Sequence, residues 1–442
     1  MRIAVIGGGI SGLGSAWLLT RDHEVTLYEA GPRAGGHSNT VSVKEAGRDI
    51  PVDTGFIVFN ERNYPHLCAL FRTLDVASHD SDMSFSASLG QGRLEYAGDN
   101  LLKLFAQPAN LLRPSHWRML REILRFNRTA LDWLAQSPGE DKPLGEFLRQ
   151  HDFARELSER YLLPMAAAIW SAPMSRIRDF PASRFLRFFR NHGLLQVSER
   201  PQWKTVAGGS QYYVEKIVKA LGKDILLDTT VKSIERSPRG VVVRDHRGGE
   251  AEFDQVILAS HADQSLSMLS DADAEEYGIL SAFQFQPNKA YLHSDSALMP
   301  RRRRVWASWN YLAESSVDGE QRVSVSYWMN RLQALNSQRN YFVTLNPPRP
   351  PSRGLTWYEC DYDHPVFDQK AVAAQERLGE IQGRGGIWYA GAWTAYGFHE
   401  DGFRSALDVV NAMGVKAPWQ ATTHEQTPAD TAPTPPVMAK EA

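Results

Sequence analysis

A chain of 442 residues with a formal net charge of −2 has length for two or three domains and gives no general reason to expect nucleic acid as a partner. Two cysteines, Cys68 and Cys360, exclude a disulfide scaffold and lack metal-site spacing, so no metal is expected. No apolar run reaches the roughly 18 residues of a spanning helix, and no signal peptide is expected before a strand that opens at Arg2, so the expected location is the cytoplasm.

The first stretch is RIAVIGGGISGLGSAWLL. Ile3 to Ile6 form the apolar run of a buried parallel strand. Gly7, Gly9 and Gly12 then stand in the spacing G-x-G-x-x-G. The first glycine permits a tight turn, the second lets backbone approach a pyrophosphate, and the third lets the next helix pack on the strand. Ser11 to Leu19 reads as that helix, with its N-terminus toward phosphate charge. The next strand, within HEVTLYEA, ends in Glu29, an acid suited to ribose hydroxyls and unsuited to a 2′-phosphate. The pattern predicts a dinucleotide site and leaves open whether a nicotinamide or a flavin fills it.

Three further stretches bear on that question. Gly35 and Gly36 follow the second strand in AGPRAGGHSNTV. PVDTGFIVFNERNYP runs from Pro51 to Pro65. GIWYAGAWTAYGFHEDGFRSALDVVNAM reads as a strand (Ile387 to Ala390), a glycine-containing loop, and a helix from about Asp401. Together they resemble the flavin-containing amine oxidase and phytoene desaturase superfamily, from Met1 to about Lys416. The wording of DTGFIVFNERNYP, SDMSFS, VSYWMNRLQAL and HEDGFRSA is similar to a narrower group: bacterial FAD-binding proteins that are themselves similar to the N-terminal part of plant cyclopropane-fatty-acid synthases.

The resemblance implies an α/β fold with a Rossmann-like FAD-binding domain. It implies non-covalent FAD, because the C-terminal motif has no cysteine. It places Gly7, Gly9, Ile10 and Ser11 at the pyrophosphate, with Gly12 in the same motif, and Glu29, beside Ala30, at the adenosine ribose. Gly36 and His37 would lie near the phosphates and ribityl chain, and Thr54, Gly55 and Phe56 against the ring. Val231 would clasp the adenine by its backbone, while Gly391, Ala392, His399 and Glu400 would belong to the ribityl and ring end. Two positions depart from the family pattern: His37 stands where many relatives have arginine, and Ala392 where many have an acid.

A site built from both ends of the chain implies a discontinuous FAD-binding domain, at about 1–75, 204–265 and 383–418. An α+β substrate domain would be inserted as 76–203 and 266–382, and 419–442 reads as a disordered tail. In that inserted domain, NLLRPSHWRMLREILRFNRTALDWL predicts a helix from Pro114, with Arg118, Arg121, Arg125 and Arg128 interleaved with Trp117, Leu124 and other apolar residues. In SRFLRFFRNHGLL, Arg184, Arg187 and Arg190 share a face beside Phe185, Phe188 and Phe189. Arg301 to Arg304 stand in a row. Each basic segment reads either as a solvated surface or as a contact with anionic lipid headgroups. Taken together they tilt toward a lipidic or acyl substrate and a peripheral membrane contact.

The leading expectation is an enzyme that passes hydride from a substrate C–H bond to FAD and leaves a double bond. His399 and Glu400 are the candidate catalytic residues as a proton relay, the other reading of His399 being a backbone contact to the ring. Trp393, Tyr396 and Phe398 would form half of an aromatic cage for an amine nitrogen, or simply pack their loop. An amine oxidase and a non-catalytic flavin-binding partner of a lipid-modifying enzyme are the alternatives. The electron acceptor is not specified by any motif.

Overall fold

The computed structural model describes residues 1–98, 101–136, 141–170, 174–196, 201–315 and 321–421. Most of the expected tail, from residue 422 on, lies outside the described residues. Its first residues do not read as a tail: Trp419 stacks on Trp17 with ring centroids 6.5 Å apart.

The apolar run at the start becomes the middle of a parallel sheet. Strand Arg2–Ile6 pairs with Glu24–Tyr28 on one side and Gln255–Leu258 on the other. Ile225–Leu226 and Ile387–Tyr389 add at the two edges, giving five parallel strands drawn from three stretches of chain. Ile3, Val5, Val25, Leu27 and Ile257 are buried on one face under helices, and Ala4, Ile6, Val256 and Leu258 on the other in a core shared with Ile234, Val243 and Phe253, which is why these strands read as continuous rather than alternating apolar runs. Helices Ile10–Leu19 and His399–Ala412 cross at Gly14, where a Cβ would stand 2.7 Å from the Phe403 ring. This is the Rossmann-like α/β arrangement, with the strand ends and two helix N-termini on one side.

The remaining chain builds a seven-stranded sheet in the order Thr356–Val366, Gln284–His293, Phe342–Leu345, Gln321–Trp328, Trp309–Ser315, Phe85–Leu89, Leu94–Ala97. All its pairs are antiparallel except Trp309–Ser315 with Phe85–Leu89. Helices Pro114–Gln136, Leu163–Trp170 and Ala182–Asn191 share one apolar core with this sheet. Its edge strand alternates strictly: Glu359, Asp361 and Asp363 are exposed, while Tyr358, Cys360, Tyr362 and His364 turn inward. No helix among the described residues is long and apolar enough to cross a membrane.

The arginine row is only partly a solvated loop. The buried Glu95 carboxylate accepts from the backbone N–H of Arg301 and of Arg302 and from the Arg302 guanidinium at 2.8 Å. Two of the four arginines thus supply donors to a buried carboxylate.

Candidate cofactor site and active site

The glycine loop follows from what each missing side chain leaves room for. Gly7 has φ +107°, and a Cβ there would stand 2.8 Å from the Ala259 carbonyl oxygen. A Cβ at Gly12 would overlap the Gly7 carbonyl oxygen. Gly9 is the opposite case, since a Cβ there would meet nothing within 4 Å. Open ground therefore lies in front of helix Ile10–Leu19, where backbone N–H groups are free to receive an anion. The glycine pair wedges against this loop: Gly35 N–H donates to the Gly8 carbonyl at 2.7 Å, and a Cβ at Gly36 (φ +53°) would stand 3.2 Å from the Gly9 Cα. Arg33, which sequence reasoning passed over, folds onto the pair through its guanidinium, 2.9 Å from the Gly36 carbonyl.

Glu29 is fixed at the end of its strand. One carboxylate oxygen accepts from Gly8 N–H and the other from Gly31 N–H, each at 2.7 Å. Each oxygen keeps lone pairs for further donors. Ala30 is exposed beside it. The Glu29 carbonyl accepts from Thr229 N–H at 2.8 Å, which brings the start of strand Val231–Ser237, and so Val231, to this end of the site.

The opposite end is built by the C-terminal helix and the segment after the glycine pair. Helix His399–Ala412 starts two residues before the expected Asp401, because the Asp401 carboxylate accepts from Phe398 N–H at 3.0 Å and Tyr396 N–H at 3.2 Å. Its first turn abuts the first helix: Ser11 Oγ donates to the Gly402 carbonyl at 2.8 Å, and a Cβ at Gly402 would reach Ile10 Cγ2 at 2.9 Å and Ala392 Cβ at 3.6 Å. Gly391 N–H is held by Ser405 Oγ at 2.9 Å. Two helix N-termini, each carrying partial positive charge, thus stand side by side. Thr54 N–H donates to the Asn39 carbonyl at 2.9 Å and Phe56 N–H to the His37 carbonyl at 2.7 Å. A Cβ at Gly55 would overlap that same carbonyl.

His399 and Glu400 face different partners. The His399 ring stacks on Phe56 at 3.9 Å and 8°, with its Nε2 2.6 Å from Tyr213 Oη and 3.1 Å from Ser38 Oγ. Burial takes its pKa down to about 3, so the imidazole is neutral at physiological pH. The Glu400 carboxylate accepts from His66 N–H at 3.0 Å and Leu67 N–H at 2.9 Å, and so caps helix Pro65–Thr73. Burial pushes its pKa from 4.5 up to about 7. A carboxyl raised on folding adds stability that is fully present below about pH 4.5 and lost as pH rises through about 7. Glu400→Gln, which cannot titrate, is expected to flatten the melting temperature across that window. A wild-type slope in the variant would assign the pH dependence to another group.

A wall that the sequence did not announce closes the site. His37 stacks on Tyr362 at 4.6 Å and His364 at 5.4 Å, and its Nε2 is buried without a protein partner. Burial holds the ring well below the usual histidine range. Tyr362 Oη lies 2.9 Å from Thr54 Oγ1 and 3.3 Å from Asn39 Nδ2. The available signal was the alternation in TWYECDYDHPV, four inward residues separated by three acids.

Of the three expected cage aromatics, Trp393 packs the loop: it is buried, edge-on to Phe283 at 4.6 Å, with its indole N–H on the Ser260 carbonyl at 3.0 Å. Phe398 stacks on Phe188 at 5.1 Å, and Phe188 lies 4.8 Å from Trp170. Tyr396 lies under the Arg184 guanidinium at 5.8 Å.

Residues 10–334 match the family model described as flavin containing amine oxidoreductase. The chain belongs to the flavin-containing amine oxidoreductase family. A Mycobacterium tuberculosis protein named as a flavin-containing monoamine oxidase is 30% identical over 263 residues, covering 58% of this chain and 56% of that protein. The chain thus spans little more than half the length of this curated relative. A double mutant of putrescine oxidase shares the fold at a TM-score of 0.67 and 16% identity, over 93% of this chain and 99% of that one. A CLA-producing fatty acid isomerase from P. acnes does so at 0.67 and 17%, over 94% and 99%.

The family consists of FAD-dependent oxidoreductases, and the residues present fit non-covalent FAD. Open ground at Gly9, a fixed acid at Glu29, a pair of helix N-termini and a buried His37 nitrogen in want of a partner suit a dinucleotide. Cys68 and Cys360 lie outside the C-terminal motif of this family member.

Proposed function

We propose that this flavoprotein desaturates a lipidic or acyl substrate: one carbon gives hydride to the flavin, the neighbouring carbon gives a proton to water, and a double bond remains between them. FAD would be held by segments 1–75, 204–265 and 383–418, and the substrate by 76–203 and 266–382. When bound, the flavin supplies the hydride acceptor. Gly7, Gly9, Ile10, Ser11 and Gly12 would receive the pyrophosphate, Glu29 the adenosine ribose, and Val231 the adenine. Gly36, His37, Thr54, Gly55, Phe56, Gly391 and Ala392 would bound the ribityl chain and ring. The N-terminus of helix His399–Ala412 would stabilise negative charge that develops there.

One observation carries the choice of substrate. Phe398, in the C-terminal loop, stacks on Phe188, which lies against Trp170 in the apolar core, and Arg184 lies over the neighbouring Tyr396. The acids nearest Phe398, Glu400 and Asp401 in the first turn of the following helix, already serve as caps for the backbone N–H groups of His66, Leu67, Tyr396 and Phe398. An acyl chain with an anionic end suits this setting. The fold shared with a fatty acid isomerase accords with that reading. The amine oxidase reading draws on the 30% identity to the mycobacterial relative. Anaerobic mixing of FAD-loaded protein with fatty acyl chains and with amines separates the two. Bleaching of the flavin by acyl chains alone is expected; bleaching by amines alone would overturn the proposal.

His399 is proposed to position its neighbours rather than carry a proton, since it is neutral and held by Tyr213 and Ser38. Loss of a true proton carrier costs about 10²–10⁴-fold, whereas His399→Ala is expected to slow flavin reduction by the substrate less than about tenfold. A larger loss with an altered pH profile would restore the relay.

A further inference from the structure

The helix Pro114–Gln136 buries one face through His116, Met119, Glu122, Phe126, Asn127 and Ala130, and that face packs on the seven-stranded sheet's domain. The opposite face remains. Trp117, Arg121, Leu124, Arg128 and Leu131 are all exposed there. At about 100° per residue these five fall within an arc of roughly 80°, a stripe about 21 Å long. The preceding turn extends it. Leu112 is 87% exposed, and the Trp117 indole N–H donates to the Leu111 carbonyl at 2.9 Å, which ties that turn to the stripe. Among the described residues eleven large apolar side chains are exposed, and five of them are Leu111, Leu112, Trp117, Leu124 and Leu131. Such a concentration on one helix and the turn before it is not the scatter of single apolar residues that every surface carries.

Charge chooses the occupant. The two arginines that stand in the stripe, Arg121 and Arg128, are exposed, whereas Arg118 and Arg125, off to one side, are paired with Glu156 and Glu122. Within the helix the one exposed acid is Asp132, beside the far end of the stripe. A second copy of the chain docked by two-fold symmetry would set these arginines against one another. A bilayer with anionic headgroups would accept both halves of the pattern: arginines at the headgroups, leucines and tryptophan at the acyl boundary.

We infer that the face formed by Leu111, Leu112, Trp117, Arg121, Leu124 and Arg128 seats this protein on an anionic membrane surface. The inference stands apart from the substrate reading, because it concerns a surface and not the flavin site. The test is flotation of FAD-loaded protein with phosphatidylcholine vesicles, with and without phosphatidylglycerol. Binding is expected only to the anionic vesicles and is expected to weaken with salt. Arg121→Gln with Arg128→Gln is expected to lower the partition coefficient roughly 25-fold, at about fivefold for each arginine. Leu112→Asp with Leu124→Asp is expected to abolish flotation. Both double variants should keep the flavin spectrum, which reports folding independently. Absence of flotation at low salt, flotation of either variant at the parent's level, or a dimer that the leucine variant dissolves would each overturn the inference. Failure of acyl chains to bleach the flavin would leave it untouched.

Discussion

Gly12→Ala is expected to yield a destabilised protein without FAD, while Gly9→Ala is expected to fold like the parent and still bind the cofactor more weakly. The two glycines are three residues apart and differ in what surrounds them. At Gly12 the added methyl would overlap the Gly7 carbonyl oxygen and approach the Ala259 Cβ to 3.3 Å. Overpacking costs about 1–3 kcal/mol where side chains can give way, and a backbone carbonyl in a tight turn gives less. The helix must lift off the strand, and the loop moves with it. At Gly9 φ is −74° and nothing stands within 4 Å, so alanine brings no strain. The space it fills is the space assigned to the pyrophosphate. Thermal unfolding of the apoproteins and FAD titration separate the effects, with an affinity loss of at least about tenfold expected for Gly9→Ala, equal to about 1.4 kcal/mol. Wild-type FAD affinity in Gly9→Ala would place the phosphates elsewhere.

Asp53→Ala is expected to have the largest effect on stability of any single change near the site. Asp53 is fully buried and adjoins Thr54. Its carboxylate accepts from Thr40 Oγ1 at 2.6 Å, Ser210 N–H at 2.9 Å, Ser210 Oγ at 2.8 Å and Gln333 Nε2 at 2.8 Å. Its own N–H returns to Gln333 Oε1 at 2.9 Å. One side chain thus joins the hairpin of Thr40–Glu45 and Arg48–Asp53, the start of helix Gln211–Leu221 and the distant Gln333. At roughly 1–3 kcal/mol for each donor left buried and unpaired, a loss of about 4 kcal/mol remains after partial relaxation. Asp53→Asn keeps one carbonyl acceptor but turns an N–H₂ toward a donor, and is expected to lose about half as much. Chemical denaturation measures both. A loss below about 1 kcal/mol in Asp53→Ala would mean that water replaces the carboxylate and that the knot is not structural.

What the sequence disclosed is what local chemistry determines. The first strand, the glycine spacing and Glu29 lie within thirty residues and act on one another, so each constrains the others in plain view. The wall of Tyr362 and His364 stands more than three hundred residues from His37 along the chain, and only the alternation of the edge strand hinted at it. His399 and Glu400 look like a pair because they are neighbours in sequence. They open a helix, where successive side chains diverge by about 100°. One turns to Tyr213 and the other to the N-terminus of the helix Pro65–Thr73. The arginine row fails as a simple surface loop for a similar reason: its acceptor, Glu95, lies some two hundred residues earlier. The stripe on Pro114–Gln136 was visible as interleaved arginine and apolar residues, but only burial separates its packed face from its exposed one.

FAD is proposed to rest, without a covalent bond, in the cradle between Gly7–Gly12 and the C-terminal helix. The most direct measurement is the visible spectrum of the purified protein, followed by denaturation and mass analysis of what is released. Flavin bands near full occupancy, with free FAD recovered from the denatured chain, are the predicted result. A colourless protein that does not take up FAD, a released nicotinamide dinucleotide, or a flavin that stays attached to the denatured chain would contradict it.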